Sequence, residues 1–279
     1  MTPETGSILA HTAPAIEPAD PAHAQRTLEA LAVADTVTKQ QLRALLEVPA
    51  ASALLSAAAG NAPYLAMLMQ READFVPQLL LENAVAVRDQ LLADCRSQII
   101  AATDMAGVME AARLAKRHIA LLTALADLST AWPLEEVTGA LSKLADTVIE
   151  ASCCWLLTQA AAKEKVVLRD PEHPTRGSGL IILAMGKYGA HELNYSSDID
   201  IIVFFEPDGL TFIGDTNPSE FFVRLTRDLT KILEEPTGGG YVFRTDLRLR
   251  PDAGATAIAM SAAAAETYYE IMGQNWERA

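Results

Sequence analysis

Two aspartates stand two residues apart in NYSSDIDIIVFF (residues 194–205), where a polar turn meets one of the most apolar runs of the chain. Residues i and i+2 of a strand project to one face, so Asp198 and Asp200 point together while Ile199 and Ile201 take the other face. Carboxylates held side by side repel, and a pKa rises unless a cation neutralises them. A hard divalent ion with oxygen ligands, chiefly Mg²⁺, is the natural neutraliser. A plainer reading makes Asp198 a turn residue after Ser196 and Ser197, and Asp200 a charge on an edge strand. The two-carboxylate motif alone does not separate these readings.

Two further features bear on the choice. Gly186-Lys187-Tyr188-Gly189 directly follows the short strand-like run GLIILAM (residues 179–185). Glycines at such a junction let backbone N–H groups approach phosphate oxygens, although any strand-to-helix turn favours glycine. Downstream, YVFRTDLRLR (residues 241–250) alternates, which predicts a half-buried strand. Phe243, Thr245, Leu247 and Leu249 take one face of it, and Arg244, Asp246, Arg248 and Arg250 share the other. A third carboxylate among three arginines suits a site that holds metal and phosphate. The alternative is a solvated edge with surface ion pairs of little energetic worth. His191 and Glu192 lie between the glycine turn and Asp198, where protonation of a leaving group is conceivable, but a surface loop is the expectation.

These residues need elements to position them. The chain has 279 residues and a formal net charge of −14, from 22 basic and 36 acidic residues. Half of it is hydrophobic, as in a folded globular protein. The acidic balance argues against a nucleic-acid binder, which normally shows a basic face. Residues 1–22 are polar and Pro-rich and are expected to form a flexible tail. Residues 23–165 are rich in Ala and Leu at helical spacing, which predicts a helical domain of six to eight helices. Breaks fall at Gly60–Pro63, Thr103–Gly107 and Thr130–Pro133, with Thr103 and Thr130 as helix-start signals. His118, Met67 and Met69 belong to this background. Residues 166–279 change to mixed α/β grammar: strands near 179–185, 198–205 and 241–250, helices near 218–235 and 261–272. Tyr268, Tyr269 and Trp276 have helical spacing and are expected to pack. Cys95, Cys153 and Cys154 show no zinc spacing and read as buried reduced thiols. No targeting segment or membrane span is visible, and a cytoplasmic location is expected.

The wording itself resembles a known family. GSGLIILAMGKYGAHELNYSSDIDIIVFF, FRTDLRLRPDAG, YYEIMGQNWERA and, in the helical part, GNAPYLAMLMQREADFV are similar to the bifunctional glutamine synthetase adenylyltransferase/adenylyl-removing enzymes. The resemblance touches most of the chain after about residue 25. DAGATAIAM after Pro251 is looser than the family's glycine-rich sequence there. The likeness implies an α+β protein in which a helical region precedes a nucleotidyltransferase domain of the DNA polymerase beta type. NYSSDID is closer to the N-terminal, adenylyl-removing half of that two-half family, so the chain is expected to be a truncated form of that half. The implied reaction removes AMP from a tyrosine of glutamine synthetase by phosphorolysis, with phosphate consumed and ADP released. By the resemblance, Asp198, Asp200 and Asp246 are the catalytic residues and hold two Mg²⁺ ions. Gly186, Lys187, Ser197, Arg248 and Arg250 contact nucleotide or phosphate. Implied partners are glutamine synthetase, phosphate, ADP or ATP, and the PII signalling protein through regions outside this chain. The alternatives are the ATP-dependent forward reaction, and a catalytically incomplete scaffold that only binds glutamine synthetase.

Overall fold

The computed structural model describes residues 3–11, 16–33 and 37–274. Eight helices precede the first strand among the described residues: α1 (Pro21–Leu31), α2 (Val37–Leu46), α3 (Pro49–Asn61), α4 (Pro63–Arg71), α5 (Val76–Leu81), α6 (Ala84–Ala101), α7 (Met105–Leu128) and α8 (Leu134–Ala162). The remainder alternates: β1 (Val166–Val167), β2 (Leu180–Met185), α9 (Gly186–Gly189), β3 (Ile199–Phe205), β4 (Thr211–Phe212), α10 (Pro218–Glu234), β5 (Thr245–Asp246), β6 (Ala259–Ser261) and α11 (Ala262–Ile271). The fold is therefore α+β. The residues gather into two compact units, Met1–Asp94 with Leu114–Leu144, and Cys95–Arg113 with Ala145–Ala279. No single helix among the described residues is long and apolar enough to cross a membrane.

In the first unit the helix boundaries follow local chemistry. Proline occupies the first helical turn of α1, α3, α4 and α5, where a missing N–H costs nothing. Asp20 caps α1 by accepting from the His23 amide at 2.8 Å. Leu55, Leu68, Leu79, Leu80, Leu121, Leu122 and Leu125 are fully buried. Glu72 accepts from Arg117 Nε at 2.6 Å and pairs with His118 Nε2 at 3.0 Å, while Phe75 stacks on the His118 ring at 4.1 Å. His118 thus belongs to a polar cluster at the edge of the apolar interior. Met69 is buried, whereas Met67 is exposed.

The first correction concerns only the described part of the expected tail over 1–22, since residues 1–2 and 12–15 lie outside the described residues. Residues 3–11 are fastened down: the Glu4 amide donates to Leu81 O at 2.9 Å, Ser7 bridges Asn83, and Ile8 is fully buried. Residues 17–20 are also tied, through Asn61, whose amide group donates to Glu17 O and accepts from the Ala19 N–H, each at 3.1 Å. One buried isoleucine and a few backbone bonds are enough to offset the polar composition. At the start of α7, Asp104 rather than Thr103 supplies the helix-start oxygen, accepting from the Gly107 amide at 2.9 Å. Thr130 lies in the left-handed region after α7 rather than at the start of α8.

In the second unit β3 is the central strand. β2 runs antiparallel along one edge, with Leu180 opposite Phe205 and Met185 opposite Asp200. The other edge is shared: β5 pairs in parallel with Ile199 and Asp200, and β6 pairs in parallel with residues 203–205. Phe205 stacks on Phe222 of α10 at 4.6 Å, and both rings are buried. Ile202 and Phe204 turn to the opposite face, where Leu249, Met260, Ala265 and Tyr269 pack on them. Tyr269 is therefore a packing residue, and its ring meets Tyr268 edge-on at 5.6 Å. Trp276 lies outside the described residues.

The expected strand over 241–250 is the second correction, since only Thr245 and Asp246 are strand. Two causes are visible. The Asp246 carboxylate accepts from the Arg248 amide at 2.8 Å, a side-chain turn that competes with the ladder. Beyond Ile201 the edge of β3 is already taken by β6, so an extended β5 has no partner there. Arg250 consequently does not share a face with Asp246. It folds into the loop and donates to the carbonyls of Leu247, Ala253 and Thr256 at 2.7, 2.8 and 3.2 Å.

Candidate active site

β3 carries Asp200 at its second position, and both neighbouring strands bring groups to it. On one side stands Met185, the last residue of β2 before the glycine turn; on the other stands Asp246 of β5. Asp198 lies two residues earlier, just ahead of the strand. The three expected carboxylates thus reach one end of one sheet. Burial raises the Asp200 pKa first, and the charges of Asp246 and Asp198 raise it further, against an opposing effect of Arg248.

The outer two carboxylates are held by arginines. Arg244 Nε donates to Asp198 Oδ1 at 2.5 Å, and Arg244 Nη2 donates to Ser196 O at 2.9 Å. Arg248 Nε donates to both Asp246 oxygens at 3.0 Å, and its Nη2 donates to Oδ2 at 2.5 Å. That hydrogen bonding holds the Asp246 carboxyl below the usual aspartate range. The Arg248 side chain is 85% exposed, so the pair is screened and easily exchanged. Among the described residues, no three His, Cys, Asp or Glu side chains are drawn into a ready metal cluster.

The glycine turn closes the other side. Gly186 has φ +54°, and a Cβ there would stand 3.2 Å from Asp200 Oδ2, so glycine both permits the turn and leaves that oxygen open. Tyr188 is buried and its hydroxyl donates to Asp146 Oδ1 at 2.7 Å, anchoring the turn to α8. Burial, followed by the Asp146 hydrogen bond and charge, raises the Tyr188 pKa. Lys187 is exposed on the same turn. The Ser197 hydroxyl is engaged with Asn194 Oδ1, within the loop before Asp198. His191 and Glu192 are both exposed.

The donor chemistry at this sheet end is of the kind a hard divalent ion takes, although the described side chains are not drawn into a cluster of three. Every donor at the site is an oxygen, and Asp200 is left with two neighbouring carboxylates and one arginine. Exposed arginines cover Asp198 and Asp246. A cavity of about 1030 Å³, lined in part by Trp155, Lys163, Phe221 and Arg224, lies away from these carboxylates. The three cysteines are buried and free. Burial pushes the Cys95 thiol up to about 12 and raises Cys153 and Cys154, which leaves them poor nucleophiles.

An α+β unit with three aspartates and paired arginines at one sheet end defines an acidic, phosphate-compatible site. Residues 52–279 match the family model for glutamate-ammonia ligase adenylyltransferase, and the chain belongs to that family. It is 45% identical over 249 residues to a bifunctional glutamine synthetase adenylyltransferase/adenylyl-removing enzyme of Bradyrhizobium diazoefficiens, covering 89% of this chain and 25% of that protein. Proteins of the same name in Bradyrhizobium sp. and Xanthobacter autotrophicus are 42% and 39% identical over 277 and 275 residues, each covering 98% of this chain and 28% of the relative. The chain spans about a quarter of the length of these curated relatives.

Proposed function

We propose that the chain carries the adenylyl-removing reaction: phosphorolysis of the AMP–tyrosine bond of adenylylated glutamine synthetase, on a domain of the nucleotidyltransferase type. The observation that supports it is the register that sets Asp200 opposite Asp246, with Asp198 beside them and the Gly186 turn against Asp200. The direction of transfer rests on the likeness of NYSSDID to the removing half.

In this reaction an oxygen of inorganic phosphate attacks the phosphorus of the AMP group. The phosphorus–oxygen bond to tyrosine breaks, ADP forms, and the tyrosyl oxygen takes a proton. Asp198, Asp200 and Asp246 would hold divalent metal, two Mg²⁺ ions by the resemblance, which when bound stabilises charge on the transferring group. Arg248 grips a carboxylate at two points and is suited to exchange it for incoming phosphate, because a guanidinium binds both in the same forked manner. The backbone of the open turn at Gly186, with Lys187 exposed on it, would serve the nucleotide phosphate. Arg250 is engaged by three carbonyls and acts instead as a brace for the loop 247–258. Regulators such as the PII protein would act through regions outside this chain.

Substitution tests the assignment. Asp246→Asn keeps the size of the side chain but removes its charge. Phosphate-dependent ADP release should fall on the order of 10²- to 10³-fold or more, with circular dichroism unchanged. An Asp246→Asn protein with wild-type turnover and wild-type Mg²⁺ dependence contradicts the site.

A further inference from the structure

Asp246 lies on a strand of only two residues, so its place is set by what holds the segment leading to it. That segment leaves the C-terminal end of α10 at Glu235 and reaches Thr245 with no regular structure besides a Thr237–Gly240 bridge. Backbone bonds hold part of it, as the Val242 and Phe243 amides donate to Leu233 O at 2.9 and 3.2 Å, and the Ile199 amide donates to Arg244 O at 2.9 Å.

Arg244, within the segment, is also held by Asp198 and Ser196 O, and two side chains from outside it add to these ties. Arg113 of α7 is 1% exposed and is among the largest fully buried side chains of the protein. Its Nη1 donates to Ile232 O at 3.0 Å and to Met109 O at 2.9 Å. Its Nη2 donates to Glu235 O at 2.5 Å, and its Nε to Gly240 O at 2.8 Å. Ile232 and Glu235 are at the end of α10, where carbonyls lack helical partners and a cation meets the negative end of the helix dipole. Gly240 belongs to the turn that follows. One guanidinium therefore ties the helix end to the turn, across a separation of 127 residues from Arg113 to Gly240. Burying an arginine on carbonyls, without a bonded carboxylate, is costly. Burial accordingly lowers its pKa, with Glu235 opposing. Glu234, the last residue of α10, completes the arrangement: its Oε1 accepts from the Thr245 amide at 2.5 Å, one residue before Asp246.

We infer that Arg113 and Glu234 are positioning residues that set the Asp246 carboxylate opposite Asp200 by bracing the 235–245 segment against the end of α10. Neither bonds to the carboxylate; both act through the backbone that delivers it. The inference rests on the metal-site reading above.

The test measures Mn²⁺ binding by electron paramagnetic resonance, and amide exchange over 241–247, in wild type, Glu234→Ala and Glu234→Gln. A glutamine side chain keeps an oxygen that accepts from the Thr245 amide, so Glu234→Gln should behave as wild type. Glu234→Ala should speed exchange over 241–247 and weaken Mn²⁺ about 10- to 100-fold, as removal of an outer supporting group commonly does. Arg113→Lys, whose ammonium cannot span the same carbonyls, should act in the same direction where it folds. Mn²⁺ binding by Glu234→Ala equal to wild type overturns the positioning role. Wild-type protein that binds no Mn²⁺ overturns the metal-site reading itself, and this inference with it.

Discussion

Asp200 is the residue on which the electrostatics converge, and its ionisation has a definite sign. Its folded pKa is raised by burial and by Asp246 and Asp198. An ionised Asp200 therefore costs stability above its unfolded value of about 3.9, and the cost grows as pH rises through the window up to the raised folded value. In chelator-containing buffer at neutral pH, Asp200→Asn should melt at or above the wild-type temperature, with the advantage vanishing toward a pH of about 4. A lower melting point at neutral pH would mean that the carboxylate is already compensated. Asp246 has the opposite sign: Arg248 lowers its pKa, so its contribution is present above about 3.9 and is lost as pH falls through the lowered value. The Arg248 side of that pair is exposed and screened by solvent, so its effect on melting should be small. The aspartates can be picked out of the sequence only in combination, because carboxylates at strand spacing alone also suit a turn and an edge strand, and the glycine turn and the Asp246 segment narrow the choice. Arg113 and Glu234 cannot be picked out, because their partners are backbone groups, and backbone partners leave no trace in residue type. The one available hint is an arginine set on the apolar stripe of AARLAKRHIALL.

At the scale of elements, long periodic segments can be read and short irregular ones cannot. α10, β2 and β3 fall within a residue or two of the expected bounds, since period and length both specify them. The run 241–250 alternates as a strand should, yet pairing is a tertiary property. β6 takes the edge, and the Asp246 side chain takes the Arg248 amide. Arg250 departs from its expected face for the same reason, because face assignments hold only while the strand lasts. β1 and β4, of two residues each, lie below any periodic signal. Packing at the base of the sheet makes a prediction at this scale. Gly179 has φ +79°, and a Cβ there would stand 2.2 Å from Glu206 O. Gly179→Ala must shift the entry to β2, and should cost about 1–3 kcal/mol by chemical denaturation. A variant as stable as wild type would show that the β2–β3 base tolerates movement.

Across the whole molecule, composition sets broad limits and little more. An acidic chain of ordinary hydrophobic content is compatible with many enzymes, and the α+β division is visible only as a change of pattern near residue 166. The packing of residues 3–11 is hidden in the sequence because one buried isoleucine carries it. What identifies the family is wording shared with far longer relatives. The most direct measurement is to incubate the protein with adenylylated glutamine synthetase and Mg²⁺, with and without inorganic phosphate, and to assay ADP. The account predicts ADP that depends on phosphate and disappears in Asp246→Asn. Consumption of ATP with release of pyrophosphate, and no phosphate-dependent ADP, would contradict the proposed direction of transfer.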